Sequence, residues 1–325
     1  MKKIRFASLL LALMVVLSTL AGCSTQPGAA NAQSTAASGA VSSAAQALTV
    51  TDMAGQEVTL PQTVTRVVAL SPSDCEILYA LGAGDKIVAR GEYCDWPAEV
   101  QQVESVGTGN ETNLEQIIAL EPQIVFMNAM AQTVEQVQRL NSAGIAVVVS
   151  NAADIAGVYQ SIELIGTCMG LQAEAAVVAA DMKAGFEEAA ALVPDDAKET
   201  RVYFEVSPLE YGLWTAGSDT FMSEIADMLQ LTNVFSDLSG WAAISQEQVI
   251  ERNPDYIISI TMYFGEGPTP EEEIASRDGW NAIAAVQSGN VFTLDADEMS
   301  RPGPRLANAA RSLAVLIYGE YSQPK

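Results

Sequence analysis

Histidine is absent from the sequence. The commonest general base and the commonest side-chain ligand for zinc and haem iron are therefore both missing. Other catalytic signatures are missing too. No G-x-x-x-x-G-K-[ST] loop and no G-x-S-x-G elbow occurs, and the Gly82-Ala83-Gly84 turn lacks the third glycine of a dinucleotide fingerprint. Carboxylate pairs abound, but among 40 acidic residues they carry no signal. The residues argue against an enzyme, against a resident cofactor or metal, and against capture of free zinc or manganese, which relies on histidine clusters.

Basic residues are scarce. Lys and Arg number 16 against 40 Asp and Glu, a net charge of −24. A surface of that sign repels nucleic acid and anionic lipid headgroups, so neither is expected as an electrostatic partner. Cysteine is also sparse. Cys23, Cys75, Cys94 and Cys168 show no C-x-x-C spacing, which speaks against a zinc site or a disulfide framework and leaves open whether Cys75 and Cys94 pair.

What is present begins at the N-terminus. Lys2, Lys3 and Arg5 precede an apolar run from Leu9 to Leu20. About a dozen apolar residues fall short of the roughly 20 that cross a bilayer, so residues 1–22 are read as a signal peptide. Leu20-Ala21-Gly22-Cys23 resembles the bacterial lipobox. That resemblance implies lipidation of Cys23 and anchoring to the outer face of the cell membrane, where two acyl chains hold stably. Residues 24–46 are uncharged and rich in Ala, Ser, Gly, Gln and Thr. Such a tether has an r.m.s. reach of ~27 Å.

From Leu48 onward the pattern alternates. Leu48–Thr51 and Glu57–Leu60 read as a hairpin, followed by short apolar strands (66–70, 86–89, 124–127, 146–149) interleaved with helices (73–81, 112–120, 133–142). A helix is expected from Leu171 to about Leu192, with Val178, Met182 and Phe186 on one face, and strand–helix alternation then restarts at Arg201. The fold class is α/β: two Rossmann-like lobes of parallel-rich sheet flanked by helices, joined by one long interlobe helix, with the cleft between them. The expected divisions are 47–170 for the N-terminal lobe, 171–193 for the joining helix and 194–325 for the C-terminal lobe.

A weak repeat links the halves. Thr112-Asn113-Leu114-Glu115-Gln116-Ile117-Ile118 followed by Pro122 is echoed by Ile244-Ser245-Gln246-Glu247-Gln248-Val249-Ile250 followed by Pro254, with Glu seven residues before Pro in each. These segments, with Arg66–Pro72, Asp95-Trp96-Pro97 and Arg301-Pro302-Gly303-Pro304-Arg305, resemble the solute-binding proteins of ABC importers for vitamin B12, ferric siderophores and haem. The resemblance spans roughly residues 64–318. It implies a permease with its ATPase as partner, and a corrinoid (cobalamin or a relative) as cargo. A ferric siderophore or haem is the alternative, so any cobalt or iron would arrive within the ligand.

The resemblance also implies site residues. Glu115 and Glu247 match the acids with which that family docks on permease arginines, although Thr112-x-x-Glu115 equally fits a capping box. Tyr93, Trp214, Trp241, Asp297 and Arg301 match cleft positions. Aromatic faces suit a broad ring, and Asp and Arg suit its polar edge. Ordinary packing is the plain alternative for each aromatic, and Arg305 is read as structural. Gly109 and Asn128 stand where vitamin B12 binders often carry tryptophan, while Tyr211 and Met262-Tyr263-Phe264-Gly265 add aromatic character elsewhere. Arg90, Arg301 and Arg305 are the cations available to an anionic ferric chelate.

Overall fold

The hairpin opens the fold. Strands β1 (Leu48–Thr51) and β2 (Glu57–Leu60) pair antiparallel around Asp52, whose Oδ1 accepts the Ala54 and Gln56 N–H groups at 3.0 and 2.8 Å. The computed structural model describes residues 47–128, 133–261, 265 and 267–319. The signal peptide, Cys23, the tether and Met262-Tyr263-Phe264 lie outside the described residues.

The first half then runs β3 (Val67–Ala69), α1 (Pro72–Ala80), β4 (Ile87–Arg90), α2 (Leu114–Ala119), β5 (Ile124–Asn128), α3 (Val134–Ser142) and β6 (Ala146–Ser150). Its strands form a parallel sheet in the order β4-β3-β5-β6. Helices α4 (Ile155–Met169) and α5 (Gln172–Ala190) follow. The second half runs β7 (Thr200–Glu205), β8 (Trp214–Ala216), α6 (Phe221–Met228), β9 (Leu231–Asn233), β10 (Trp241–Ala243), α7 (Gln246–Arg252), β11 (Tyr256–Ser259), α8 (Pro270–Ser276), α9 (Ala284–Ser288), β12 (Val291–Thr293), α10 (Ala296–Ser300) and α11 (Leu306–Tyr318). Its parallel sheet has the order β12-β11-β7-β9.

Ranked by position in the chain, the strands of both sheets lie in the order second, first, third, fourth. The sequence repeat is thus a repeat of topology, with α2–β5 and α7–β11 as equivalents. The match extends to backbone detail. Glu121 and Asn253, each directly before the repeat's proline, adopt positive φ of 49° and 46° and end their helices. The residue after each proline then ties the third strand to the first: Gln123 Oε1 accepts from Thr65 and Arg66 N–H, and Asp255 Oδ2 from Arg201 N–H.

The apolar alternation explains how the halves share a core. Val67, Ala69, Ile124 and Phe126 of the first sheet belong to one buried cluster with Val202, Phe204 and Ile258 of the second, and Met182 and Phe186 of α5 are members of the same cluster. The alternate residues Val68, Val125 and Met127 face an outer cluster, as do Tyr203 and Ile257 on the other side. Strands covered on both faces read as continuous apolar runs, which is why they were legible.

Helix α5, at ~28 Å, is the long helix expected from the sequence. Its buried face is Ala175, Met182, Phe186 and Ala189, with Val178 half-buried. It packs along α4 and α11, and small residues let the axes approach: a Cβ on Gly166 would stand 2.5 Å from Ala175 Cβ, and one on Gly185 2.9 Å from Ala307 Cβ. Helix α4 is one that the sequence pattern does not announce. It starts at the seam between the lobes, where Ile155 N–H donates to Glu224 of α6 (2.6 Å) and Phe221 N–H donates to the Ala153 carbonyl (3.0 Å).

Candidate ligand cleft and docking face

In an open parallel sheet the crevice lies beyond the carboxyl ends of the strands. The loop leaving β4 carries Tyr93 and Trp96. The segment leaving β7 carries Tyr211 and leads into Trp214 at the start of β8, and Trp241 opens β10. Among the described residues these five are the exposed large aromatic side chains, from 36% exposed at Trp241 to 77% at Tyr211. Water-facing aromatics on segments of both lobes have the chemical character that a ligand surface requires. Strands β8 and β10 pair antiparallel with Trp214 opposite Ala243 and Trp241 opposite Ala216, so both tryptophans lie on one face of a two-stranded ribbon. Trp241 also meets Phe221 edge-on at 5.5 Å, and Phe221 is the residue bonded across the seam to Ala153. A concavity of about 1050 Å³ lies elsewhere, among the β1–β2 hairpin, α3 and β6. No aromatic side chain lines it, so side-chain chemistry and not volume places the candidate site.

Beside these aromatics two arginines of the C-terminal lobe grip carboxylates of the N-terminal lobe. Arg301 is buried and contacts Asp95 at 2.6 Å, Asp297 at 2.7 Å and Glu76 at 3.2 Å. Arg305 donates to both oxygens of buried Glu76, at 2.8 and 3.0 Å, and its guanidinium lies 4.7 Å from the Trp96 ring centroid. Burial pushes the Asp297 carboxyl up, Arg301 draws it back, and the Asp95 charge raises it again, leaving it above its usual range. Arg301 and Arg305 stay protonated: burial disfavours their charge, and the carboxylates outweigh burial. The structure thus draws Asp297, Arg301 and Arg305 together into one interlobe clamp, with Tyr93 two residues from Asp95. Glu76 and Asp95 are members that the sequence reading did not single out. The one available signal was that Asp95 and Trp96 belong to the Asp95-Trp96-Pro97 landmark.

The two acids of the repeat occupy equivalent places. The cap of α2 is Asn113, which accepts the Gln116 N–H at 3.1 Å, while the Thr112 hydroxyl donates to the Gly109 carbonyl at 2.8 Å. This corrects the capping-box reading of Thr112 and Glu115: the Thr112 hydroxyl is already engaged, and the asparagine one position later reaches the third helical N–H. Glu115 is free of capping duty, exposed, and paired with Arg139 of α3. In α7, Ser245 and Gln248 form a reciprocal capping box. Glu247 is exposed, and its own backbone N–H together with the Ser245 hydroxyl holds its carboxyl below the usual range. Glu115 and Glu247 are each the second residue of the helix that precedes the third strand of its sheet.

Comparison with known proteins agrees with this architecture. The family model described as periplasmic binding protein matches residues 67–298. An uncharacterised ABC transporter substrate-binding lipoprotein of Bacillus subtilis, YvrC, is 35% identical over 277 residues, covering 83% of this chain and 85% of the relative. A vitamin B12-binding protein of Vibrio parahaemolyticus is 28% identical over 254 residues, 76% of this chain and 86% of the relative. The crystal structure of a possible iron-binding (periplasmic solute-binding) protein from Staphylococcus epidermidis superimposes with a TM-score of 0.68 at 30% identity, covering 79% of this chain and all of that one. The chain belongs to the periplasmic binding protein family, the two-lobed solute-binding components of ABC importers, which are not enzymes.

Proposed function

We propose that this protein is lipid-anchored through Cys23 outside the cytoplasm, captures a corrinoid between its lobes and delivers it to an ABC permease. The observation that carries the cargo is the set of exposed aromatics on segments of both lobes: Tyr93 and Trp96 from one side, Tyr211, Trp214 and Trp241 from the other. A flat macrocycle offers such rings a broad face, and Asp297 and Asp95, oriented by Arg301, offer acceptors to its amide edge.

A ferric siderophore or haem is the second reading, favoured by the iron-binding description of the Staphylococcus epidermidis relative. The arginines an anionic complex would need are already engaged. Arg90 donates to the Val103, Gly91 and Glu92 carbonyls, and Arg301 and Arg305 hold the interlobe carboxylates. This supports the neutral-edged corrinoid over an acidic chelate. Calorimetry with cobalamin, cobinamide, haemin and ferric siderophores decides between them. Binding confined to the corrinoids is the expected result, and no corrinoid binding overturns it.

The acids Glu115 and Glu247 are assigned to docking. One exposed anion at the same helical position in each lobe suits a permease with two like halves, and complementary charge there speeds encounter and fixes orientation.

A further inference from the structure

Two thiols lie beneath the interlobe clamp. Cys75 sits in the first turns of α1 and Cys94 in the loop that leaves β4, and both are fully buried. Their sulfurs point at one acceptor, the Ala69 carbonyl, at 3.9 and 3.6 Å. The neighbouring Cys94 thiol together with burial pushes Cys75 well above the ordinary thiol range. The approach of the loop depends on Gly91, whose N–H donates to the same Ala69 carbonyl at 2.8 Å. A Cβ there would stand 2.3 Å from the Leu70 carbonyl oxygen, so a larger residue would push Cys94 away.

The neighbours of the two cysteines matter. Cys75 is followed by Glu76 and Cys94 by Asp95, the two N-terminal-lobe carboxylates that hold Arg301. A bond between the sulfurs would therefore join the two backbone segments that carry the clamp, and fix the loop that presents Tyr93 and Trp96.

We propose that Cys75 and Cys94 form a disulfide in the exported protein, a staple that holds the N-terminal-lobe half of the interlobe clamp in place. Each thiol loses a proton and the pair loses two electrons as the S–S bond forms. A disulfide-bearing oxidant of the extracytoplasmic space accepts both electrons and both protons and leaves as two thiols. The exchange takes place during folding, because a buried thiol that resists ionisation is a poor nucleophile once the loop has closed. Cys168, in α4, has its thiol pushed up to about 12 by burial and stays reduced.

The staple rests on export, so the test separates the two. The full chain with its own leader is exported from a bacterium, trapped with an alkylating agent in denaturant, and digested without reductant. Mass spectrometry should find Cys75 and Cys94 in one cross-linked pair of peptides that separates on reduction, with Cys168 alkylated. Alkylated Cys75 and Cys94 in the exported chain overturn the proposal. A chain that stays in the cytoplasm refutes the reading of the leader instead, and pairing is then decided by refolding the leaderless chain in a glutathione buffer, where unpaired thiols overturn it. Stability gives a second readout. Reductant should lower the melting midpoint of the wild type by about 6–10 °C and leave the C75A/C94A double variant unmoved. A wild-type midpoint indifferent to reductant counts against the staple.

Discussion

At the scale of single residues, the sharpest consequence concerns Asp74. It is fully buried in α1, accepts the Ser150 hydroxyl at 2.6 Å through Oδ1, and its Oδ2 has no hydrogen-bond partner. Burial, partly offset by that hydrogen bond, lifts its pKa from 3.8 to about 7. The folded protein thus retains a proton that the unfolded chain releases as pH rises past 3.8. The contribution is fully present at lower pH and is lost progressively up to about pH 7. By linkage the loss is on the order of 4 kcal/mol. Asp74→Asn, neutral at every pH, should match the wild type near pH 4 and exceed it in denaturant midpoint at pH 8. Parallel stability profiles for the two proteins would show that Asp74 is ionised in the fold. A second prediction concerns the tryptophans. Truncating Trp214 or Trp241 to Ala should weaken cargo binding about 10–100-fold by calorimetry. The Trp241 variant should also lose about 1 kcal/mol of stability through its edge contact with Phe221. Unchanged affinity in both variants would place the cargo elsewhere.

At the scale of elements, the equivalent helices α2 and α7 make docking testable apart from binding. Charge reversal by Glu115→Arg and Glu247→Arg should abolish cargo uptake in cells while calorimetric affinity stays within about twofold, since rim charges govern encounter and orientation. Neither acid stabilises its helix as a cap; Asn113 and Ser245 do that. Lost cargo affinity would place these acids in the cleft. The same two helices show how far the fold could be read in advance. The repeat was visible because helix, proline and buried strand follow each other in a few consecutive residues. The strands were visible because Val67–Ala69 and Ile124–Met127 are buried on both faces. Helix α4 was not, because Gly157, Ser161 and Gly166 interrupt the buried face formed with Val158, Ile162 and Ile165, and blur its apolar period. The ribbon of β8 and β10 escaped because its strands are three residues each and lie more than 20 residues apart. The aromatic positions came from the resemblance and not from local pattern: Tyr93 lies in a loop, whereas Trp214 and Trp241 open the short strands β8 and β10. The clamp could not be read in advance, because Arg301 meets Glu76 and Asp95 across 225 and 206 residues of chain.

At the scale of the whole molecule, the question is whether capture closes the lobes. Bending would have to part the cluster to which Phe126, Phe186 and Phe204 all belong, at roughly 25 cal/mol for each Å² of apolar surface exposed. It would also have to withdraw Arg301 from Glu76 and Asp95, the two carboxylates of the other lobe, and leaving buried Glu76 unpaired costs about 3–5 kcal/mol. Both costs oppose bending, so the expected outcome is capture in the resting geometry. The folded region has an expected radius of gyration of about 19 Å. Adding saturating cargo should change it by less than ~0.5 Å in small-angle scattering, since pre-organised partners move little on binding. The clamp supplies the control. Arg301→Met removes the cation while keeping apolar bulk, and leaves Asp95 and Asp297 to repel each other at the cleft mouth. That variant should be destabilised by about 2–4 kcal/mol and should show a larger compaction on cargo binding than the wild type. A wild-type protein that contracts by several ångströms would mean that the shared core is not continuous across the lobes in solution, and that cargo is held by closure rather than received by a cleft already formed.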